Sequence, residues 1–195
     1  MLKDKLRDYS LILASGSPRR KQYFKEMGLD FEIRLKSVEE VYPDHLEGSQ
    51  ISDFLARLKA TPFEDTLAAN EILITADTVV WYKNESLAKA GNAAEAFHML
   101  RKISGDWHEV ITSVCFTTAS SQKTVNRVTK VKFKTLTDKE IQYYIDKFRP
   151  FDKAGAYGIQ EWLGLIGIEE IQGSYTNVVG LPTQLMYNTL IDMVN

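Results

Sequence analysis

The apolar run Leu11-Ile12-Leu13-Ala14 predicts a short buried strand over Tyr9 to Ala14. A polar turn, Ser15-Gly16-Ser17, follows, and Pro18 to Met27 then reads as a helix ended by Gly28. Ser17 falls at the N-cap and Pro18 at the first helical position, where a missing N–H is not needed. Phe31 to Leu35 alternates apolar and charged residues, as a half-buried strand does. Ser37 to Gly48 is a polar loop containing Pro43, and Ile51, Phe54, Leu55 and Leu58 mark one face of a helix. Ile72 to Val80 predicts a strand interrupted by Thr75-Ala76-Asp77-Thr78. Asn92 to Glu95 resembles a capping box before a helix with Phe97, Leu100 and Ile103 on its buried face, ended by Gly105. His108 to Thr118 and Thr124 to Lys134 predict a hairpin with Ser120 to Lys123 at its tip. Thr137 to Glu140 is a second capping box, leading to Ile141, Tyr144, Ile145 and Phe148 before Pro150 stops the helix. Leu163 to Ile171 reads as a strand, Ser174 to Gly180 as a glycine-bounded loop, and Pro182 opens a terminal helix. Strands alternate with helices and one element is antiparallel, which predicts a mixed α/β fold around a long sheet.

Length and composition narrow the picture. The 195 residues, 44% hydrophobic and 26% charged, fit one globular domain or two small lobes around one cleft. A net charge of -2 argues against a general nucleic-acid binder, and the basic residues are local, as at Arg19-Arg20-Lys21. The single cysteine, Cys115, excludes an internal disulfide and a Cys-based zinc site; in the strand Val110 to Thr118 it reads as an inert core thiol. No apolar stretch reaches membrane-spanning length, and Met1 to Asp8 lacks the apolar core of a signal peptide. A cytoplasmic location without membrane or nucleic-acid partners is therefore expected. A homodimer is admitted by the sequence but not required by it.

The chemistry concentrates at Ser15 to Arg20. Two arginines in a first helical turn conflict with the partial positive charge of a helix N-terminus, and an anion seated there removes the conflict. Free backbone N–H groups, the hydroxyls of Ser15 and Ser17, Gly16 and the guanidinium forks of Arg19 and Arg20 suit a phosphate or polyphosphate. A solvated basic helix start is the plainer alternative, and the preceding strand, turn and Pro18 weigh against it. Asp77, mid-strand, is either a solvent-facing strand-end residue or a carboxylate paired or metal-bound; both readings stand open. Glu39-Glu40 alone is a solvated acidic turn, and Lys59 and Lys89 alone are surface lysines. Lys153, Gln160 and Ser174 occupy polar or glycine-rich breaks. His45, His98 and His108 are not spaced as a metal cluster, and His108 reads as a structural hydrogen-bonding residue. Neither a nucleophile elbow nor a P-loop motif occurs. Taken together, arginines, isolated lysines and a few carboxylates suit phosphoanhydride hydrolysis without a covalent nucleophile.

The run Ser-x-Ser-Pro-Arg-Arg resembles the signature of the Maf family, nucleoside triphosphate pyrophosphatases once described as septum-formation inhibitors. The resemblance spans nearly the whole chain as a single Maf-like domain, residues 1–195. It continues through Glu40, Leu58-Lys59-Ala60, Ala76-Asp77-Thr78-Val79-Val80, Lys89, Ser104-Gly105 with His108, Asp152 to Gln160, and Gly173 to Pro182. It implies an elongated mixed α/β sheet flanked by helices, with two lobes around a central cleft, similar to inosine triphosphate pyrophosphatases. It implies cleavage of a nucleoside triphosphate between the α and β phosphates with a divalent cation, Mg2+ or Mn2+, in nucleotide-pool housekeeping with a link to cell-division arrest. Asp77, Lys59, Lys89 and Glu40 match catalytic positions, with Asp77 as the general base and Glu40 and Asp77 as metal ligands. Ser15, Ser17, Arg19, Arg20, Thr78, Lys153, Gln160 and Ser174 match substrate positions, of which Arg19, Thr78 and Gln160 set specificity. The forms Gly155 to Gln160 and Gly173 to Pro182 resemble the dTTP/UTP branch; the 7-methyl-GTP branch, a modified-nucleotide scavenger and a non-catalytic nucleotide-binding regulator are the alternatives. Ala90 after Lys89, Glu161-Trp162 after Gln160, and a few extra N-terminal residues depart from the family pattern.

Overall fold

The computed structural model of the protein describes residues 1–195. In chain order its elements are α1 (Leu2–Lys5), β1 (Ser10–Leu13), α2 (Pro18–Glu26), β2 (Phe31–Ile33), α3 (Ser49–Leu58), a 3-10 turn (Thr61–Thr66), β3 (Glu71–Tyr82), β4 (Glu85–Leu87) and α4 (Ala93–Ile103). They continue with β5 (Trp107–Thr117), β6 (Gln122–Phe133), α5 (Asp138–Phe148), α6 (Trp162–Gly167), β7 (Ile168–Gln172), α7 (Tyr175–Val179) and α8 (Thr183–Met193). Seven strands form one sheet in the order β2-β1-β3-β5-β6-β7, with β4 paired to β3 off this path. β1 is parallel to β2 and β3, whereas β3–β4 and β6–β7 are antiparallel, so the sheet is mixed as expected.

The chain folds into two compact units. The first comprises Met1–Asp77, Thr112–Arg127 and Gly180–Asn195; the second comprises Thr78–Ile111 and Val128–Val179. In the first unit, strand alternation sorts side chains by face. Leu11, Leu13, Ile72, Ile74 and Ala76 join Phe24 of α2 and Met186 and Leu190 of α8 in one core cluster. Ile12 and Leu73 point the other way and pack with Ala60 and Phe63.

The second unit shows how local chemistry fixes element ends. Tyr82 pairs with Glu85 across a two-residue turn whose Lys83 and Asn84 have φ of 47° and 63°, the backbone that tight hairpins require. The capping box before α5 is complete: Thr137 Oγ1 accepts from Glu140 N at 3.3 Å, and Glu140 Oε2 accepts from Thr137 N at 2.8 Å. That helix ends at Arg149, which adopts the left-handed conformation before Pro150. Ahead of α4 the box is only half formed. Asn92 Oδ1 accepts from Glu95 N at 3.0 Å, but the Glu95 carboxylate turns to Gly91 N (2.8 Å) and Asn92 Nδ2 (2.7 Å).

Four further expectations require correction. The segment Leu163 to Ile171 is not one strand: α6 occupies its first part and β7 its second. Leu163 and Gly167, four residues apart, are buried while Leu165 is 78% exposed, a helical period that so short an apolar run does not reveal in sequence. The loop expected over Ser174 to Gly180 contains α7, whose first turn is fastened by Asn177 N donating to Ser174 Oγ. β3 is not interrupted at Thr75 to Thr78, because its polar side chains find partners without breaking the strand. β2 is shorter than Phe31 to Leu35 and more exposed than half-buried, in keeping with its place at the end of the sheet order.

Candidate active site

β3 presents Leu73, Thr75 and Asp77 on one face, two residues apart each. Leu73 packs with Ala60 and Phe63, which follow α3. Thr75 Oγ1 donates to the carbonyl of Ala56, in the last turn of α3, at 2.6 Å. Lys59, the C-cap of that helix, then reaches Asp77: its Nζ lies 2.6 Å from Asp77 Oδ1 and 3.1 Å from Glu40 Oε2. A cation at a helix C-terminus is favoured by the helix dipole. Asp77 is 7% exposed, so the solvent-facing reading is excluded and the paired reading holds. Glu40, Lys59 and Asp77 thus form one carboxylate–ammonium–carboxylate group within the first unit.

The second cluster of that unit is the loop between β1 and α2. Ser17 caps α2, its Oγ accepting from Arg20 N at 3.5 Å. Ser15 Oγ accepts from Ser17 N and from Arg20 Nη1, each at 3.3 Å. Arg20 Nη1 also donates to the carbonyl of Ala76 at 2.8 Å, and its Nε donates to the carbonyl of Gly180 at 2.9 Å. The sequence aims both guanidinium forks at an anion, whereas the structure commits much of the Arg20 fork to protein acceptors on three separate segments. Burial pushes the Arg20 guanidinium down from its ordinary value and Asp77 opposes that shift; an arginine remains charged regardless. Arg19, half-buried, lies beside it in the first turn.

The remaining predicted residues belong to the second unit. Thr78 is half-buried on β3, and Lys89 is exposed with its backbone bridged to Ala154. Gly155 N donates to the carbonyl of Leu87 at 2.8 Å, so Lys89 and Lys153 are carried by adjoining backbone. The Lys153 ammonium sits 2.7 Å from Asp152 Oδ1 and 3.0 Å from Glu161 Oε1. Gln160 is exposed. Ser174 is engaged locally, its N donating to Thr129 Oγ1 at 3.1 Å and its Oγ lying 3.1 Å from Thr176 Oγ1. Sequence reasoning missed Thr75, Tyr144 and the pairing of Glu161. The two-residue spacing of Thr75 from Asp77 was the available signal for the first.

His108 is structural, as its sequence context suggests. Its Nε2 lies 2.7 Å from the Tyr157 hydroxyl, its ring packs edge-on to Phe133 and Tyr157, and its Nδ1 is buried without a partner. Burial lowers its pKa from 6.5 to about 4, with Asp106 opposing weakly. The unfolded chain therefore binds a proton that the folded one refuses as pH falls from 6.5 towards 4. Stability is lost across that window by on the order of 3 kcal/mol. His108→Gln is expected to flatten this part of the acid stability curve in denaturant titrations. An unchanged slope would assign the titration to another group.

The chain belongs to the Maf-like protein family, whose family model matches residues 10–193. It is 56% identical to a dTTP/UTP pyrophosphatase of Flavobacterium johnsoniae, over 100% of both chains. It is 54% identical to a dTTP/UTP pyrophosphatase of Flavobacterium psychrophilum, over 98% of each, and 48% identical to one of Bacteroides fragilis, over 93% of this chain and 95% of that one. Among solved structures, the Staphylococcus aureus Ham1 protein aligns with a TM-score of 0.48 at 16% identity, over 64% of this chain and 71% of that one.

Glu40 and Asp77 suit a hard divalent cation, since carboxylate oxygens are its ordinary ligands and both already face one positive charge, the Lys59 ammonium. No group of three or more His, Cys, Asp or Glu side chains is arranged to hold a metal ion by itself, and Mg2+ is commonly bound by one or two carboxylates together with substrate phosphates.

Proposed function

We propose that this chain hydrolyses dTTP and UTP between the α and β phosphates, releasing a nucleoside monophosphate and pyrophosphate. The observation that carries the reading is the buried Asp77 carboxylate held by Lys59 beside Glu40. The names of relatives that match it along their whole length support the choice of substrate. In the proposed step Asp77 takes a proton from a water whose oxygen attacks the α-phosphorus. The bond from that phosphorus to the bridging oxygen breaks, and pyrophosphate leaves with the electron pair. Lys59 orients the Asp77 carboxylate, and Arg19, Lys89 and the N-terminus of α2 balance phosphate charge. Glu40 and Asp77 would hold Mg2+ or Mn2+, which when bound neutralises charge developing on the phosphates. Gln160 and Thr78 read the base, because an amide offers both a donor and an acceptor to the uracil or thymine edge. Residues 1–195 act as one functional domain in the cytoplasm, where nucleotide pools are found.

The test is a panel of nucleotides with Mg2+, scored by product. dTTP and UTP are expected to yield monophosphate and pyrophosphate, with CTP cleaved far less well because its exocyclic amine reverses one partner. Release of orthophosphate and a diphosphate would place the cut at the wrong bond. Equal kcat/KM for UTP and CTP would remove Gln160 from base recognition.

A further inference from the structure

The hydroxyl of Tyr144 stands between the two ends of a tight turn in the second unit. It accepts from Gly158 N at 2.9 Å and donates to Glu161 Oε2. Glu161 N donates to the carbonyl of Gly158 at 3.0 Å, closing the turn over Ile159 and Gln160. Ile159 is buried and Gln160 is exposed. Glu161 is the N-cap of α6, yet its carboxylate makes no cap bond to that helix and turns back instead to Tyr144 and Lys153. Two glycines allow the close approach. A Cβ on Gly158 would lie 2.9 Å from Glu161 Cδ and 3.1 Å from Lys153 Cε, and one on Gly164 would collide with the carbonyl of Ile159. Burial pushes the Tyr144 phenol up, and its bond to Glu161 pushes it further, so the hydroxyl remains a donor. The turn is therefore pinned at both ends and from beneath, while the Gln160 side chain projects outward.

We infer that Glu161, acting through Tyr144 and Lys153, is a positioning residue that sets base preference by holding the Gln160 turn in one conformation. This rests on the reading of Gln160 as a base-recognising residue. An amide discriminates between uracil and cytosine edges only while its donor and acceptor keep a fixed order relative to the ring. Freed to rotate, the same amide satisfies either edge, and the penalty for an unmatched polar group disappears.

The test is equilibrium binding of non-hydrolysable α,β-imido-UTP and α,β-imido-CTP to the whole protein. Glu161→Ala and Tyr144→Phe are each expected to shrink the UTP-over-CTP affinity ratio by about tenfold, chiefly by weakening the UTP analogue. Glu161→Gln, which keeps an acceptor for the Tyr144 hydroxyl, is expected to restore most of the ratio. If Glu161→Ala does not fold, Tyr144→Phe carries the measurement. Equal weakening of both analogues in the folded variants, or an unchanged ratio, would reduce Glu161 to a structural residue and overturn the inference; so would a wild-type protein with no preference. Binding needs no cleavage. A wild-type protein that prefers the UTP analogue but releases no pyrophosphate would therefore remove the hydrolase reading and leave this inference standing.

Discussion

Asp77→Asn lowers kcat for UTP by about 10²-fold or more, the range for a lost general base, while nucleotide still binds. The substitution keeps the size of the side chain and an oxygen that can accept from Lys59 Nζ, now 2.6 Å away. What it removes is the capacity to take a proton from water and one of the two negative charges facing Lys59. A group that acts in the transition state shows its loss in kcat and kcat/KM together, whereas a group that only binds substrate raises KM. Steady-state kinetics on the purified variant, with a direct binding measurement, separates the two. Turnover near that of the wild type would exclude Asp77 as the base and leave it as the partner of Lys59 alone.

Arg20→Ala has its largest effect on stability rather than on nucleotide preference. The side chain spans Ser15, the carbonyl of Ala76 and the carbonyl of Gly180, and both carbonyls belong to buried residues. Hydrogen bonds from a charged donor are worth about 1.5–3 kcal/mol each, so losing two costs about 3–6 kcal/mol. For a chain of this size that corresponds to a fall in Tm of about 10 °C. Arg20→Lys is not expected to rescue it, because a single ammonium cannot reproduce the planar fork that meets acceptors in two directions. Calorimetric melting of both variants checks this. An Arg20→Ala protein that melts like the wild type yet no longer binds any triphosphate would move the guanidinium from the scaffold to the phosphates.

Local chemistry was legible in the sequence; distant partnership was not. Ser17 and Pro18 identify the start of α2, and Thr137 with Glu140 that of α5, because a cap is decided within four residues. The segment from Leu163 defeats the same approach, since a run of six apolar or glycine residues carries no decisive period. The candidate site divides in the same way. Residue type marked Asp77, Lys59 and Glu40 as chemically able, but their meeting depends on α3 crossing β3 so that Thr75 bonds Ala56, a tertiary event with no local signature. The acceptors of Arg20 on Ala76 and Gly180 lie 56 and 160 residues away, so nothing local in the sequence announces them. Glu161 was visible only as a departure from a pattern. Its pairing with Tyr144, 17 residues earlier, needed the fold.

The first unit is assembled from three stretches of chain, and the last of them is Gly180–Asn195. Leu181, Met186 and Leu190 of that stretch complete the cluster begun by Leu11, Leu13 and Phe24. During synthesis, which runs from the N-terminus at about 5–20 residues per second, the loop between β1 and α2 and Asp77 emerge long before the side chains that cover their supporting core. The carbonyl of Gly180 that receives Arg20 arrives with the same late segment. A nascent chain that has not yet exposed this stretch therefore holds Glu40, Lys59 and Asp77 while the core beneath them still lacks Leu181, Met186 and Leu190.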